Sequence, residues 1–236
     1  MGKSPAIFEQ LELHNVARVF EDREQAGHVL AAMIRDRHPQ PMMLLAIPSG
    51  GVPVAATIAR DLGWPLDVAV TSKITTPWNS EAGYGAIAFD DTLRLNEALI
   101  ERFGLSHEDI DTGIARTREK VQRRVSRLRR DRRPLALSGK PVMLIDDGLA
   151  SGLTLQVAIE AVRNLGVSSL YVAVPTGHAE SVRRIAGEVD GLYCANMREG
   201  YRYAVADAYR HWSDVSEDEV MAELEAVWCG AACPSE

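Results

Sequence analysis

Val142-Met143-Leu144-Ile145-Asp146-Asp147-Gly148-Leu149-Ala150-Ser151-Gly152-Leu153-Thr154-Leu155-Gln156 runs from an apolar segment through an acid pair and small residues into a helical pattern. Four consecutive apolar residues, Val142 to Ile145, read as a strand buried on both faces. Asp146 and Asp147 end it. Gly148, Ala150, Ser151 and Gly152 then make a turn of small residues. Beyond the turn Leu155, Ala158, Ile159, Val162 and Leu165 recur at helical spacing, and Gly166 stands where a left-handed cap closes a helix. A strand, a small-residue turn and a helix start make an anion cradle, because unpaired backbone N–H groups and the positive end of the helix dipole converge on one spot. Ser151 and Thr154 add hydroxyls. A phosphate suits the cradle, whereas two carboxylates call for hydroxyls or a metal-bound water. The stretch therefore predicts a site for a sugar phosphate with free ribose hydroxyls, together with Mg2+.

A second unit of the same kind lies upstream. Met42 to Ile47 is apolar, Pro48-Ser49-Gly50-Gly51 turns, and Pro53, Ala55, Ala56, Ile58, Ala59 and Leu62 form a helix closed by Gly63. The paired glycines let backbone approach a ligand closely. Leu66 to Ser72 reads as the next apolar strand, with Lys73 at its C-terminal edge, where it is a solvated cap or a cation facing a phosphate. A Walker A loop is excluded for the main stretch, because Leu153 occupies the position that needs Lys.

The rest alternates between helix and strand. Glu21 to Arg37 reads as a helix stopped by Pro39, with no chemistry in it. Ile74 to Ala88 is rich in Gly, Thr and Ser and lacks a sustained period; its Trp78 and Tyr84 either stack on a ligand or pack. Residues 87–95 around Asp90-Asp91-Thr92 read as a hairpin. Asn96 caps a short helix. Ser106 and Asp109 form a capping box for a long helix rich in arginine, from Arg116 to Arg133. Its bland reading is a solvated basic face; its sharp one is a contact to RNA or another subunit. Leu170 to Val174 is a strand ending before His178, Ala179 to Ala186 a helix, and Gly191 to Ala195 the last sheet strand. Tyr201, Tyr203, Tyr209 and Trp212 precede a Ser216–Glu219 capping box and a terminal amphipathic helix.

The chain has 236 residues, 46% of them hydrophobic, enough for one sizeable core. A net charge of −7 argues against nucleic acid as a partner of the whole surface. No apolar run approaches the roughly 18 residues of a membrane span, and Met1-Gly2-Lys3-Ser4-Pro5 lacks the apolar stretch of a signal peptide. Three cysteines, an odd number, point to a reducing cytoplasm. Cys229 and Cys233 have no nearby His or Cys to complete a zinc site.

The apolar strand, Asp146-Asp147, the small residues and Ser151-Gly152-Leu153-Thr154 resemble the signature of type I phosphoribosyltransferases, with Ser151 in place of the usual first Thr. An uncharacterised subgroup shows Pro-Arg-Gly-Gly at the upstream turn; here Ser49 takes the place of that Arg, which removes a bidentate phosphate donor. The subgroup's next segment is matched by Lys73, Pro77, Asn79, Glu81, Gly85 and Ala86, while Thr75, Ser80 and Gly83 depart from it, and Ser72 replaces a second cation. The resemblance spans roughly Phe20 to Glu219. It implies an α/β fold: an open, mainly parallel sheet with helices on both faces, plus a small hood and a β-hairpin, in one domain over 1–236. Residues 1–19 would be a leading arm, 74–96 a flexible loop and hairpin that closes over the site, and 196–236 an aromatic segment and helix.

The implied reaction moves phosphoribosyl from phosphoribosyl pyrophosphate to a nitrogenous acceptor such as a nucleobase, releasing pyrophosphate. By this resemblance Asp146, Asp147 and Lys73 are the catalytic residues. Gly148, Ala150, Ser151, Gly152, Leu153 and Thr154 hold the 5-phosphate, and Ser49, Gly50 and Gly51 take the pyrophosphate with Lys73. Mg2+ arrives on the substrate and meets Asp146 and Asp147 through water. The aromatic residues of 201–212 are candidates to face the acceptor or to pack, and His178, on the same sheet edge, is read as touching a base or as a solvated loop histidine. Dimers are common in the family. The alternative is a non-catalytic binder of phosphoribosyl pyrophosphate or a nucleotide on the same fold.

Overall fold

The computed structural model describes residues 6–38, 40–130, 132–200 and 202–231. Pro39, Tyr201 and Cys233, which carry expectations above, lie outside the described residues, as do the side chains of Ser80 and Glu81. In chain order the elements are β1 (Ile7–Phe8), α1 (Arg23–Arg35), β2 (Met43–Ala46), α2 (Gly51–Leu62), β3 (Leu66–Val68), β4 (Thr71–Thr76), β5 (Asn79–Ala88) and β6 (Leu93–Leu95). They continue with α3 (Glu97–Phe103), α4 (His107–Arg129), β7 (Pro141–Ile145), α5 (Leu153–Asn164), β8 (Ser169–His178), α6 (Ala179–Ala186), β9 (Gly191–Arg198) and α7 (Glu217–Ala231).

Six strands form a parallel sheet in the order β1-β9-β8-β7-β2-β3. The apolar run of β7 is explained by its place in the middle. Val142 and Leu144 join the core beneath α5 and α6, while Met143 and Ile145 join the one beneath α1 and α2, and all four are fully buried. With both faces covered, neither set of side chains can be polar. The open, mainly parallel sheet with helices on both faces is thus present, accompanied by a separate antiparallel sheet, β4-β5-β6.

The order places a switch point between β2 and β7. These two strands pair directly, but β2 leads through α2 to β3 on one side, and β7 leads through α5 to β8 on the other. Helices α2 and α5 pack on opposite faces. Crossovers that leave in opposite directions open a crevice at the carboxyl ends of the two strands.

Several expectations are corrected. Leu66 to Ser72 is not one strand: β3 stops at Val68, and β4 starts at Thr71 in the other sheet. Lys73 therefore sits on an antiparallel strand opposite Ala86, not at the end of a parallel one. The segment read as an irregular stretch, 74–88, is mostly the β4–β5 hairpin. Register shifts at Ile74/Thr75 and Thr75/Thr76 break the two-residue alternation, so no period was visible. His178 is the last residue of β8 rather than part of a loop. The leading arm contributes β1, which pairs with β9.

The arginine-rich helix is the largest correction. Its basic face is solvated only in part: Arg116, Lys120 and Arg123 are exposed, but the rest is held by acids of other elements. Arg124 Nε lies 3.0 Å from Glu217, Arg127 2.7 Å from Asp218 and Arg130 2.6 Å from Glu225, all acids of α7. Arg129 meets the buried Asp67 at 3.0 Å, and Arg132 stacks over Trp228 at 4.1 Å. Both capping boxes form as expected: Ser106 and Asp109 start α4, and Ser216 and Glu219 start α7.

Candidate active site

The crevice at the switch point is a cleft of about 550 Å3 lined by the two sheet-edge turns, β4 and one face of α4. Its floor is two interlocked turns. The peptide between Pro48 and Ser49 is cis, and Gly50 begins α2 directly beneath the Asp147 carboxylate. A Cβ on Gly50 would stand 1.8 Å from Asp147 Oδ2, and one on Gly51 would stand 2.6 Å from the carbonyl oxygen of Ile145. At Gly51 the backbone of the β7 turn leaves room only for glycine, whereas at Gly50 the obstacle is the Asp147 side chain in its present rotamer. On the other turn Gly152, with φ +76°, is the N-cap of α5, a left-handed conformation that glycine adopts at no steric cost.

The two aspartates differ in their surroundings. Asp147 Oδ2 accepts a hydrogen bond from Arg23 Nε at 2.9 Å, and the Asp147 carbonyl accepts one from the Tyr209 hydroxyl at 2.6 Å. The Arg23 guanidinium lies 3.9 Å from the Trp212 ring centroid and donates to Ser213 O, so the C-terminal aromatic segment braces the pair. Asp146 makes no ion pair among the described residues; its Oδ1 accepts from the Asp147 backbone N–H at 2.9 Å. Burial pushes the Asp146 carboxyl well above the usual carboxylate range, and the neighbouring Asp147 charge adds to this. Burial also raises Asp147, with Arg23 pulling the other way. Burial, then the Asp147 charge, raises the Tyr209 phenol well above its ordinary value.

Of the residues expected at the site, Ser49, Gly50, Lys73, Asp146, Asp147 and Thr154 line this one cleft. Ser151 and Leu153 open instead on an adjoining cavity of about 460 Å3 with Gly83, Asn96, Ser181 and Arg184. The Ser151 carbonyl accepts from Arg184 Nη2 at 2.5 Å, which fixes the small-residue turn from α6. Gly51 is buried behind the cleft, Ala150 is exposed, and Gly148 is packed under Val205. Tyr84 is fully buried and packs on α4, whereas Trp78 is 64% exposed at the hairpin tip. His178 Nε2 lies 3.1 Å from Gly200 O, and the Tyr203 hydroxyl lies 3.4 Å from Thr176 Oγ1.

Sequence reasoning missed the cations brought in from a distance. Arg23, in a helix read as free of chemistry, holds Asp147. Its signal was positional: a basic residue opening a helix faces the positive end of the dipole and needs another reason to be there. Arg124 was counted in a basic run, yet it is 8% exposed, and its Nη2 donates to Ser49 Oγ at 3.1 Å. Arg116 and Lys120 line the same cleft. Their signal was the spacing 116, 120, 124, one residue per helical turn on one face.

An α/β sheet whose crossovers diverge at β2 and β7, with an acid pair and a glycine-capped helix start at that switch point, belongs to the doubly wound class that binds ligands outside the carboxyl ends of its strands. The phosphoribosyl transferase domain matches residues 20–197. A Mycobacterium tuberculosis H37Rv protein named "putative phosphoribosyl transferase" is 34% identical over 208 residues, and its counterpart in strain CDC 1551 gives the same figures. That alignment covers 88% of this chain and 47% of the relative, so the chain spans about half the length of the curated relatives it matches. The crystal structure of the Thermus thermophilus protein TT1426 is similar with a TM-score of 0.71 and 31% identity, over 87% of this chain and 97% of that one. The chain belongs to the phosphoribosyl transferase family, with the type I fold. No helix of the described residues is long and apolar enough to cross a membrane.

Proposed function

We propose that the protein transfers phosphoribosyl from phosphoribosyl pyrophosphate to a nitrogenous acceptor, a nucleobase being the leading candidate, and releases pyrophosphate. The observation that carries this reading is one cleft lined both by the acid pair Asp146–Asp147 with Thr154 of α5 and by the cations Lys73, Arg116 and Lys120. In the transfer the bond from the anomeric carbon to the pyrophosphate oxygen breaks and a carbon–nitrogen bond forms. Positive charge develops on the ribose ring, negative charge on the leaving group. A site of this polarity stabilises both, and the protein's part is positioning and electrostatics.

In this reading the backbone N–H groups of residues 150–154 and the hydroxyls of Ser151 and Thr154 hold the 5-phosphate. Asp146 and Asp147 hold the ribose hydroxyls. Ser49 and Gly50 receive the pyrophosphate with Lys73, while Gly51, buried behind the cleft, supports the turn. The exposed tip of the β4–β5 hairpin, around Trp78, closes over the bound substrate and excludes water. Mg2+ fits the donor set, because Asp146 offers hard oxygens with no protein cation in ion-pair contact among the described residues. Bound on the diphosphate, Mg2+ would neutralise charge on the leaving group, with Asp146 and Asp147 reached through water.

A non-catalytic binder is the second reading, and one observation favours it: Arg23 already holds Asp147. Titration calorimetry with phosphoribosyl pyrophosphate, with and without Mg2+, followed by a pyrophosphate-release assay over a panel of bases, separates the two. Mg2+-dependent binding and release with one base supports the transferase. Binding with no release from any base supports the binder, and no binding overturns both.

A further inference from the structure

We infer that Arg116 and Lys120, on one face of α4, form the diphosphate wall of the cleft and stand in for the arginine absent at Ser49, with Arg124, one helical turn further on, setting the position of the β2–α2 turn. This rests on the proposed function for the nature of the substrate. The contact chemistry itself requires only a diphosphate.

Three observations converge. First, the β2–α2 turn contributes no cation of its own: Pro48, Ser49, Gly50 and Gly51 are uncharged. A doubly phosphorylated leaving group there needs charged donors from elsewhere. Second, Arg124 reaches across 75 positions of sequence to donate to Ser49 Oγ at 3.1 Å while Glu217 holds its Nε at 3.0 Å. The guanidinium is thereby fixed against the turn by an acid on its far side, which sets the position of Ser49. Third, Arg116 and Lys120 are exposed, line the cleft with Asp146, Asp147 and Lys73, and make no ion pair among the described residues. Their neighbours on the same helix are consumed: Arg118 by Asp91 at 3.0 Å, Arg127 by Glu217 and Asp218. Arg116 and Lys120 are thus cleft-lining cations that no described acid neutralises, which leaves them available to an anionic ligand. Residues 116 to 124 span roughly 12 Å at the helical rise, so the wall extends from Ser49 toward the β4–β5 hairpin. Arg116 also borders a second hollow that holds the exposed Trp78.

Arg116 and Lys120 meet the diphosphate directly, whereas Arg124 is a positioning residue acting through Ser49. The test is a calorimetric comparison of three ligands, inorganic pyrophosphate, phosphoribosyl pyrophosphate and ribose 5-phosphate, on the wild-type chain and on R116Q, K120Q and the double variant. Both side chains are exposed and unpaired, so the fold should survive, which circular dichroism checks. Each substitution is expected to weaken pyrophosphate and phosphoribosyl pyrophosphate by about tenfold, with ribose 5-phosphate unchanged within twofold and a shallower salt dependence. R124K is expected to weaken pyrophosphate too, at unchanged ribose 5-phosphate affinity, since a lysine keeps the charge but not the planar fork. Equal losses for all three ligands, or no loss for pyrophosphate, overturns the wall. Wild-type protein that fails to bind pyrophosphate overturns it as well. Failure of the transferase reading looks different: pyrophosphate binds and responds to R116Q and K120Q, but phosphoribosyl pyrophosphate yields no product with any base.

Discussion

The β7–α5 and β2–α2 units are built alike and equipped differently. Each is an apolar strand, a turn containing glycine and a helix that starts at the same sheet edge. The β7–α5 unit carries polar side chains of its own in Asp146, Asp147, Ser151 and Thr154. The β2–α2 unit carries almost none, and its turn is served by Arg124 from a helix far away in sequence. A turn can thus be a functional site through its side chains or through its bareness, the latter leaving backbone and room for groups delivered by another element.

This contrast can be broken first at Asp146. Asp146→Asn should lower kcat/KM by about 10²–10³ if the unit's own carboxylate acts on the developing charge, and turnover within twofold of wild type would remove it from the chemistry. Stability should move the other way. The folded pKa of Asp146 is raised, so the native state holds its proton to higher pH than the unfolded chain does. Stability therefore falls as pH rises from the ordinary carboxylate value through the raised one. Asp146→Asn should raise Tm near neutral pH and flatten that fall, as thermal melts from acid to neutral pH would record.

Arg23→Ala leaves Asp147 largely buried without its partner and should cost about 3 kcal/mol, measured by urea unfolding; a loss below about 1 kcal/mol would mean that water replaces the guanidinium. Glu217→Gln sharpens the other half of the comparison, because it loosens the acid behind Arg124. It should cost about 1 kcal/mol in stability and weaken pyrophosphate several-fold without touching ribose 5-phosphate. The smallest effect is expected at Arg94, whose pairs with Glu160 and Glu188 lie on the surface. Arg94→Gln should change stability by less than about 1 kcal/mol, and a larger change in the same unfolding assay would show that surface pairs count here as much as cleft ones.

The same contrast explains what could be read from the sequence. Chemistry that lies within one short stretch was legible: Val142 to Thr154 revealed the strand, the acid pair and the helix start, and Met42 to Leu62 repeated the plan. The parallel sheet followed from those periods. Chemistry assembled across distance was not. The arginines of α4 have acceptors in α7 and β3 that local pattern cannot pair with them, so a gripped helix read as a solvated one. Arg23 sits 124 positions from Asp147. The β4–β5 hairpin was obscured by its own register shifts, and with it the setting of Lys73. The setting of 203–212 also depends on contacts distant in sequence: Tyr209 grips the backbone of Asp147, while Tyr203 lies beside Thr176.

The contact between Gly50 and Asp147 also constrains the order in which this cleft could change over descent. With the carboxylate 1.8 Å from where a Cβ would be, any side chain at position 50 is rejected while Asp147 keeps its present rotamer. A lineage would first have to shorten or redirect residue 147, and in doing so strand Arg23. Position 50 becomes permissive only afterwards. The two sites are historically contingent on one another, and variants sampled one at a time would find position 50 closed even where the pair together has a route onward.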